Sequence, residues 1–206
     1  MPPLCSSCNL ARPAILRPKN RDRLCPACFI TTFEDEVHET ISTHNLFPPY
    51  SRIAIGASGG KDSTVLASVL HTINVRHNYH WELVLLSIDE GIKGYRDDSL
   101  GAVEWLGREL GLRWKVVGYR ELYGWTMDQV VEQIGKKGNC TYCGVWRRQA
   151  LDRGVGFLDE GVDGGANGKK KGGWRLCTGH NADDVAETVV MNRELDSLYP
   201  QSAFLF

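Results

Sequence analysis

The segment Ser58-Gly59-Gly60-Lys61-Asp62-Ser63 joins a short apolar run, Arg52 to Ala57, to a helix-forming stretch that begins at Lys61. Two adjacent glycines let the backbone turn tightly enough for successive N–H groups and a helix N-terminus to face one anion, which is what phosphate recognition requires. The dinucleotide fingerprint G-x-G-x-x-G is absent. The kinase-type P-loop also fails, because Ile55 stands where its first glycine belongs and Asp62 follows the lysine. A carboxylate inside a phosphate cradle calls for a magnesium ion between the two, so Asp62 reads as a metal-bridging residue. The plainer alternative is an ordinary glycine-rich turn between strand and helix.

The cysteines form two groups. Cys5-x2-Cys8 and Cys25-x2-Cys28, sixteen residues apart, have the spacing of a four-thiolate zinc site, and residues 1–30 read as a zinc ribbon. Two disulfides are the alternative, disfavoured in a reducing compartment. Thirty residues bury little core, so metal binding and folding should be coupled. Arg12, Arg17, Lys19, Arg21 and Arg23 lie between the pairs against Asp22 alone; they read as a contact for RNA phosphates or, more plainly, as a solvated face. Cys140-x2-Cys143 is a second group. Lys136, Lys137, Arg147 and Arg148 flank it, and their charges would lower the thiol pKa values; two packed core thiols are the alternative. Cys177, inside an apolar run, reads as a small packed residue. His180, in Gly-His-Asn-x-x-Asp-Asp, reads either as a contact to substrate or nucleotide or as a buried histidine satisfied by backbone. The other five histidines lack partner spacing and are expected at the surface.

These residues need a scaffold. The chain has 206 residues, 24 Lys+Arg against 25 Asp+Glu, and is 42% hydrophobic, which fits one globular domain with a small appendage. No apolar run approaches the roughly 18 residues of a membrane helix, and Met1 to Cys5 lack a secretory layout, so an intracellular protein is expected. Thr31 to Glu34 reads as a capping box before Phe33, Val37 and Ile41, a helix within a linker spanning residues 31–49. Further on come a strand to Ala57, a helix from Lys61 to about Val75, and a strand from Glu82 to Ile88 ending at Asp89. A helix from about Asp97 to Leu110 closes at Gly111, and a strand covers Arg113 to Val117. Such alternation implies a parallel sheet, whose ligands bind beyond the carboxyl ends of the strands. Thr126 is placed to cap a helix bearing Met127, Val130, Val131 and Ile134, and Cys140 to Arg153 has a helical pattern. Asp159 to Gly173 reads as a flexible loop, Trp174 to Thr178 as a fourth strand, and Asn181 to about Asn192 as a last helix.

Taken together, the glycine loop, Ser87-Ile88-Asp89-Glu90-Gly91-Ile92, Cys140-Thr141-Tyr142-Cys143-Gly144-Val145 and Thr178 to Thr188 resemble the PP-loop ATP pyrophosphatases, and within them the tRNA-thiolating branch. The resemblance implies an α/β fold of the adenine nucleotide alpha hydrolase type, Rossmann-like, over residues 50–206, with its C-terminal part missing. It implies ATP-dependent 2-thiolation of a wobble uridine in cytosolic tRNAs, with ATP, Mg2+ and Zn2+ as cofactors. Cys140, Cys143, Lys61 and Asp62 would act in catalysis. Ala57, Ser58, Gly59, Gly60, Ser63, Asp89, Gly179, His180, Asp183 and Asp184 would join Lys61 and Asp62 around ATP, with Asp184 helping Asp62 hold magnesium. Cys140 and Cys143 would either hold an iron-sulfur cluster with a third cysteine or pass sulfur as a persulfide. The implied partners are tRNA, a paralogous second thiolation subunit and a thiocarboxylated ubiquitin-related modifier as sulfur donor, with no membrane and a cytoplasmic location. Amide ligation, as in other PP-loop enzymes, calls for neither cysteine group. The remaining alternative is an inactive fragment that binds tRNA or a partner subunit.

Overall fold

The computed structural model describes residues 3–92, 96–135, 139–159, 173–184, 186–187 and 189–190, and only the backbone of residues 134 and 139–145. Lys136, Lys137, Lys169 to Lys171 and most of the glycine-rich loop lie outside the described residues. The chain divides into two compact units. One is built mainly from Met1–Ile53 and Ser68–Leu83, with Trp174 and Arg175; the other mainly from Ala54–Ala67 and from the chain after Val84.

In the first unit, β1 (Ile15–Leu16) and β2 (Arg23–Leu24) pair antiparallel, Ile15 opposite Leu24. Helix α1 follows at once, Pro26–Thr43. The expected capping box at Thr31 is not used, because the helix starts five residues earlier: Pro26 supplies the preset φ of a first helical residue and Cys25 takes the N-cap position. Phe33, placed on the apolar face by its spacing, is instead half-exposed, while Ile41 is buried. Glu34 is buried beside it and bonds Arg76, which also pairs with Asp35 at 3.2 Å. Of the five histidines expected at the surface, His44, His77 and His80 are exposed and His38 and His71 half-buried. His38 and His77 stack with ring centres 3.6 Å apart, and His38 Nε2 lies 2.9 Å from the Tyr79 hydroxyl. Burial, then the neighbouring His38 and Arg76, hold the His77 pKa below its usual value.

The sheet has the order β5-β4-β3-β6, formed by β3 (Arg52–Gly56), β4 (Glu82–Asp89), β5 (Arg113–Gly118) and β6 (Trp174–Thr178). β4 and β5 are parallel, in register from Val84 opposite Arg113 to Asp89 opposite Gly118. Ile53, Ala54 and Ile55 are fully buried, as are Leu85 and Leu86, which explains why these strands read as continuous apolar runs. Helices α2 (Lys61–His77) and α3 (Arg96–Leu110) follow β3 and β4. In the second unit α3 lies close on β5: a Cβ on Gly107 would come within 2.6 Å of the Trp114 ring.

After β5 come α4 (Tyr119–Tyr123), which the sequence reading lacked, and α5 (Met127–Ile134). Thr126 caps α5 with Gln129 in a full capping box, as expected. Helix α6 (Asn139–Gly156) carries the second cysteine pair. Its core face is set by Trp146, packed among Tyr119 and Tyr123, by fully buried Ala150, and by Gly154, where a Cβ would lie 3.3 Å from Leu86.

Candidate nucleotide cavity and metal centre

At the carboxyl ends of β3 and β4 the second unit encloses a cavity of about 340 Å³. The helices that follow parallel strands begin there, with free backbone N–H groups at their N-termini, so an anion-binding site is expected at that edge of the sheet. Ala57, Ser58, Gly60, Asp62 and Ser63 line it from the glycine loop, Asp89 from β4, and Gly179, His180 and Asp184 from the segment after β6. Three residues assigned to the same site do not line it. Lys61 and Asp183 are exposed, Lys61 at the start of α2, and Gly59 is half-buried in the loop.

The loop is braced from within. Ser63, buried, donates to Gly60 O at 3.0 Å and accepts the Ser58 N–H at 3.3 Å, while Thr64 Oγ1 donates to Gly60 O at 3.0 Å. Ser63 is thus a loop brace as well as a lining residue. Gly59 adopts φ +75°, and a Cβ there would stand 2.6 Å from Ser99 O, so α3 closes against its back. Gly179 serves the opposite side. A Cβ there would lie 3.0 Å from the backbone of Asp62, so the Thr178-Gly179-His180 segment touches the start of α2 through bare backbone.

His180 Nδ1 pairs with Thr178 Oγ1 at 2.9 Å, which orients the ring at the cavity. Asn181 caps the helical turn that follows: its Oδ1 accepts the N–H groups of Asp183 and Asp184, and Asp184 Oδ2 accepts the Asn181 N–H at 2.8 Å. Asp184 therefore has a capping duty beside its place in the lining. Two ion pairs cross the rim. Arg96 Nε lies 2.7 Å from Asp89, whose Oδ1 also accepts the Gly91 N–H, and Arg147 bonds Glu90. Neither arginine, nor Glu90, was singled out for this cavity from the sequence. Arg147, whose place beside the second cysteine pair suggests a charge acting on those thiols, bonds Glu90.

In the first unit, Cys5, Cys8, Cys25 and Cys28 converge, each offering a sulfur within 4.8 Å of the others. All four are free thiols. A tetrahedral zinc with bonds near 2.3 Å places its sulfurs about 3.8 Å apart, and Cys8 and Cys25 Sγ stand at 4.0 Å. The Cys8 and then the Cys25 backbone N–H lower the Cys5 pKa to about 6. Cys8 is lowered by the Ala11 and Leu10 N–H groups. At Cys28 the Ser7 hydroxyl pulls downward but is outweighed by Cys25, burial and the other thiols, which push it up to about 12. Such thiols crowded without a cation repel as thiolates, so the donor set fits a divalent metal.

The basic residues between these pairs are not equivalent. Arg17 is buried and bonds both Glu36 oxygens, at 3.0 and 2.6 Å, and Lys19 reaches the same carboxylate at 3.4 Å. A guanidinium held this way pins α1 to the knuckle, so Arg17 is corrected from phosphate contact to structural tie. Arg12, Arg21 and Arg23 remain exposed. Cys177 is half-buried on β6, its thiol pushed up by burial, as a packed residue should be.

No protein-family model matches the chain. Over 93% of its length it is 60% identical to the cytoplasmic tRNA 2-thiolation protein 1 of Aspergillus niger, covering 53% of that protein. It is 55% identical over 92% of its length to the namesake from Arabidopsis thaliana, covering 50%. Among solved structures it resembles the U34-tRNA thiolase NcsA from Methanococcus maripaludis with its [4Fe-4S] cluster, at a TM-score of 0.72 and 29% identity, covering 93% of this chain and 58% of that one. The resemblance to tRNA-thiolating proteins read from four motifs is borne out. The chain spans about half the length of the curated relatives it matches.

Proposed function

We propose that this chain, a homologue of the cytoplasmic tRNA 2-thiolation proteins, takes part in ATP-dependent 2-thiolation of the wobble uridine of tRNA in the cytoplasm. The observation that carries the reading is the cavity itself: a braced glycine loop, Asp62, Asp89, His180 and Asp184 meet at the carboxyl edge of the sheet, in a chain 60% identical to a thiolation protein.

A uridine C2 oxygen is a poor leaving group and must first be esterified. In the proposed reaction that oxygen bonds the α-phosphorus of ATP, the bond to the β-phosphate oxygen breaks, and pyrophosphate departs. A sulfur nucleophile then attacks C2 and AMP leaves with the oxygen. The Ser58 to Ser63 loop would cradle the phosphates with its N–H groups, charge stabilised by fixed dipoles being the usual largest contribution in such sites. Lys61, exposed at the start of α2, would swing its ammonium toward the leaving pyrophosphate. Asp62 and Asp184 would hold magnesium, which neutralises phosphate charge when bound. Cys140 and Cys143 would carry sulfur. Residues 140 and 143 sit one helical turn apart on α6, and Cys177 lies on β6 and does not line the cavity. Cys5, Cys8, Cys25 and Cys28 would hold a structural zinc. A second thiolation subunit and a thiocarboxylated modifier as sulfur donor complete the proposal, supported by the resemblance alone.

Mass spectrometry of tRNA from cells whose only source of this activity is the chain tests the reading. Restored 2-thiouridine is expected; its absence, with the chain folded and present, refutes it.

A further inference from the structure

In the loops that lead into β3 and β4, Asn45 (φ +48°), Tyr50 (φ +64°), Asn78 (φ +51°) and His80 (φ +56°) adopt left-handed backbone. Asparagine tolerates that conformation because its short amide bonds locally. For a bulky side chain such as Tyr50 it is an outlier, and glycine would make the same turn without the Cβ penalty. The backbone bond at this position needs no particular side chain, since it is the Tyr50 N–H that donates to Tyr79 O at 2.9 Å. Burial does not explain the tyrosine either, because it is 75% exposed. Its ring stacks on that of His80, also exposed, with centres 5.3 Å and planes 13° apart. One face of the Tyr50 ring is thus covered by imidazole, and the other is open to water.

Both loops are fixed. Trp81, buried, donates its indole N–H to Pro48 O at 3.1 Å and its backbone N–H to Asn74 Oδ1 at 2.8 Å, and its ring stacks on Tyr79 at 4.4 Å. The Glu82 N–H donates to Ser51 O at 2.9 Å. The surroundings carry no negative charge of their own, for residues 40–51 and 77–81 contain neither Asp nor Glu, and exposed Arg175 bonds Leu46 O in the first loop. Over Met1–Ile53, Ser68–Leu83 and Arg175, the unit holding both loops has eight Lys and Arg against six Asp and Glu, in a chain that carries 24 against 25. Four of those acids, Glu34, Asp35, Glu36 and Glu82, are paired with arginines, whereas Arg12, Arg21 and Arg23 are exposed. A positive unit that presents an open aromatic face on fixed loops suits a partner that combines phosphates with flat rings.

We propose that Tyr50 and His80 form a stacking platform for an unpaired base of RNA. The inference rests on the tRNA reading for the choice of partner and goes beyond it in assigning residues to hold a base away from the nucleotide-binding loop. Stacking of this kind tolerates any base, because each has a π-face.

The test uses the full, zinc-loaded chain with a fluorescein-labelled short single-stranded RNA of mixed sequence, beside the same backbone made with abasic sugars. Anisotropy gives the affinities, and thermal melts run in parallel. Tyr50→Asn should weaken binding of the base-bearing strand about tenfold, as loss of one aromatic–base stack does, and leave the abasic strand unchanged. Its Tm should hold or rise, since asparagine accepts the left-handed backbone. His80→Asn should also weaken binding of the base-bearing strand alone, and Tyr50→Phe should keep the parent's affinity. Unchanged affinity in Tyr50→Asn, as expected if a protein docks on this face instead, overturns the proposal. So does an equal loss on both strands with a lowered Tm, which marks a structural role, and so does failure of the unaltered chain to bind the base-bearing strand. Missing 2-thiouridine in cells, with Tyr50-dependent RNA binding intact, counts against the thiolation reading alone.

Discussion

Gly59 and Gly60 are adjacent glycines in one loop, yet the structure predicts opposite consequences for replacing them. At Gly59 the backbone has φ +75°, and an added Cβ would stand 2.6 Å from Ser99 O and 3.0 Å from Ser99 Cα. The left-handed conformation costs a non-glycine residue roughly 1–2 kcal/mol. Forcing a methyl against a backbone that cannot rotate away costs about 1–3 kcal/mol more. Gly59→Ala should thus lose about 2–5 kcal/mol, which for a chain of this size lowers Tm by roughly 4–20 °C. At Gly60 the nearest atom to a new Cβ is Ser58 Oγ at 3.3 Å, a hydroxyl that can turn aside, and Gly60 lines the cavity whereas Gly59 does not. Gly60→Ala should keep its Tm within about 2 °C, a change below about 1 kcal/mol, and lose ATP affinity, because the methyl occupies the space where phosphate approaches the N–H groups. Thermal melts and ATP calorimetry on both variants make the comparison. Equal Tm losses in the two, or full ATP binding by Gly60→Ala, would refute the reasoning.

Stripping zinc with a strong chelator should release one metal per chain and abolish amide protection across residues 5–28, seen by hydrogen exchange, because the knuckle has almost no other core. The Arg17 guanidinium, bonded to Glu36, holds that carboxyl below its ordinary value of 4.5. Its stabilisation is therefore present above pH 4.5 and is lost as pH falls through the lower folded pKa; Glu36→Gln should melt lower than the parent at pH 6, with the gap closing toward pH 3. Thr126→Ala removes the capping box of α5 and should cost about 0.5–2 kcal/mol in denaturant unfolding, with Gln129→Ala adding little further because the two side chains serve one motif.

The elements that position the cavity were legible because each had a local cause. β3 and β4 read as apolar runs because both faces are covered, α3 ended at Gly111 because φ is +64° there, and Thr126 announced α5 by its cap. The four-cysteine centre was legible from spacing alone, since thiol geometry leaves few alternatives. Other features were set by contacts that sequence does not encode locally. The β1–β2 ribbon has two residues per strand, too short for any alternation to show. Helix α1 began at Pro26 because Cys25 belongs to the thiol cluster, which overrode the Thr31 signal. Arg17 resembles its basic neighbours in sequence, but Glu36, nineteen residues away, accepts from both of its terminal nitrogens. The Glu90 and Arg147 partnership spans fifty-seven residues. Glu90 stood beside the more conspicuous Asp89, and Arg147 beside cysteines that supplied a nearer explanation. Gly179 stands in the Thr178 to Thr188 motif, but its close approach to Asp62 emerges only with the assembled segment after β6.

Calorimetric titration of the zinc-loaded chain with ATP, with and without magnesium and alongside Asp62→Asn, tests the central claim most directly. The account predicts saturable heat for one ATP per chain that requires magnesium and falls at least tenfold in affinity when Asp62 is neutralised. Heat that is indifferent to magnesium and to Asp62, or no heat from a folded sample, would contradict it.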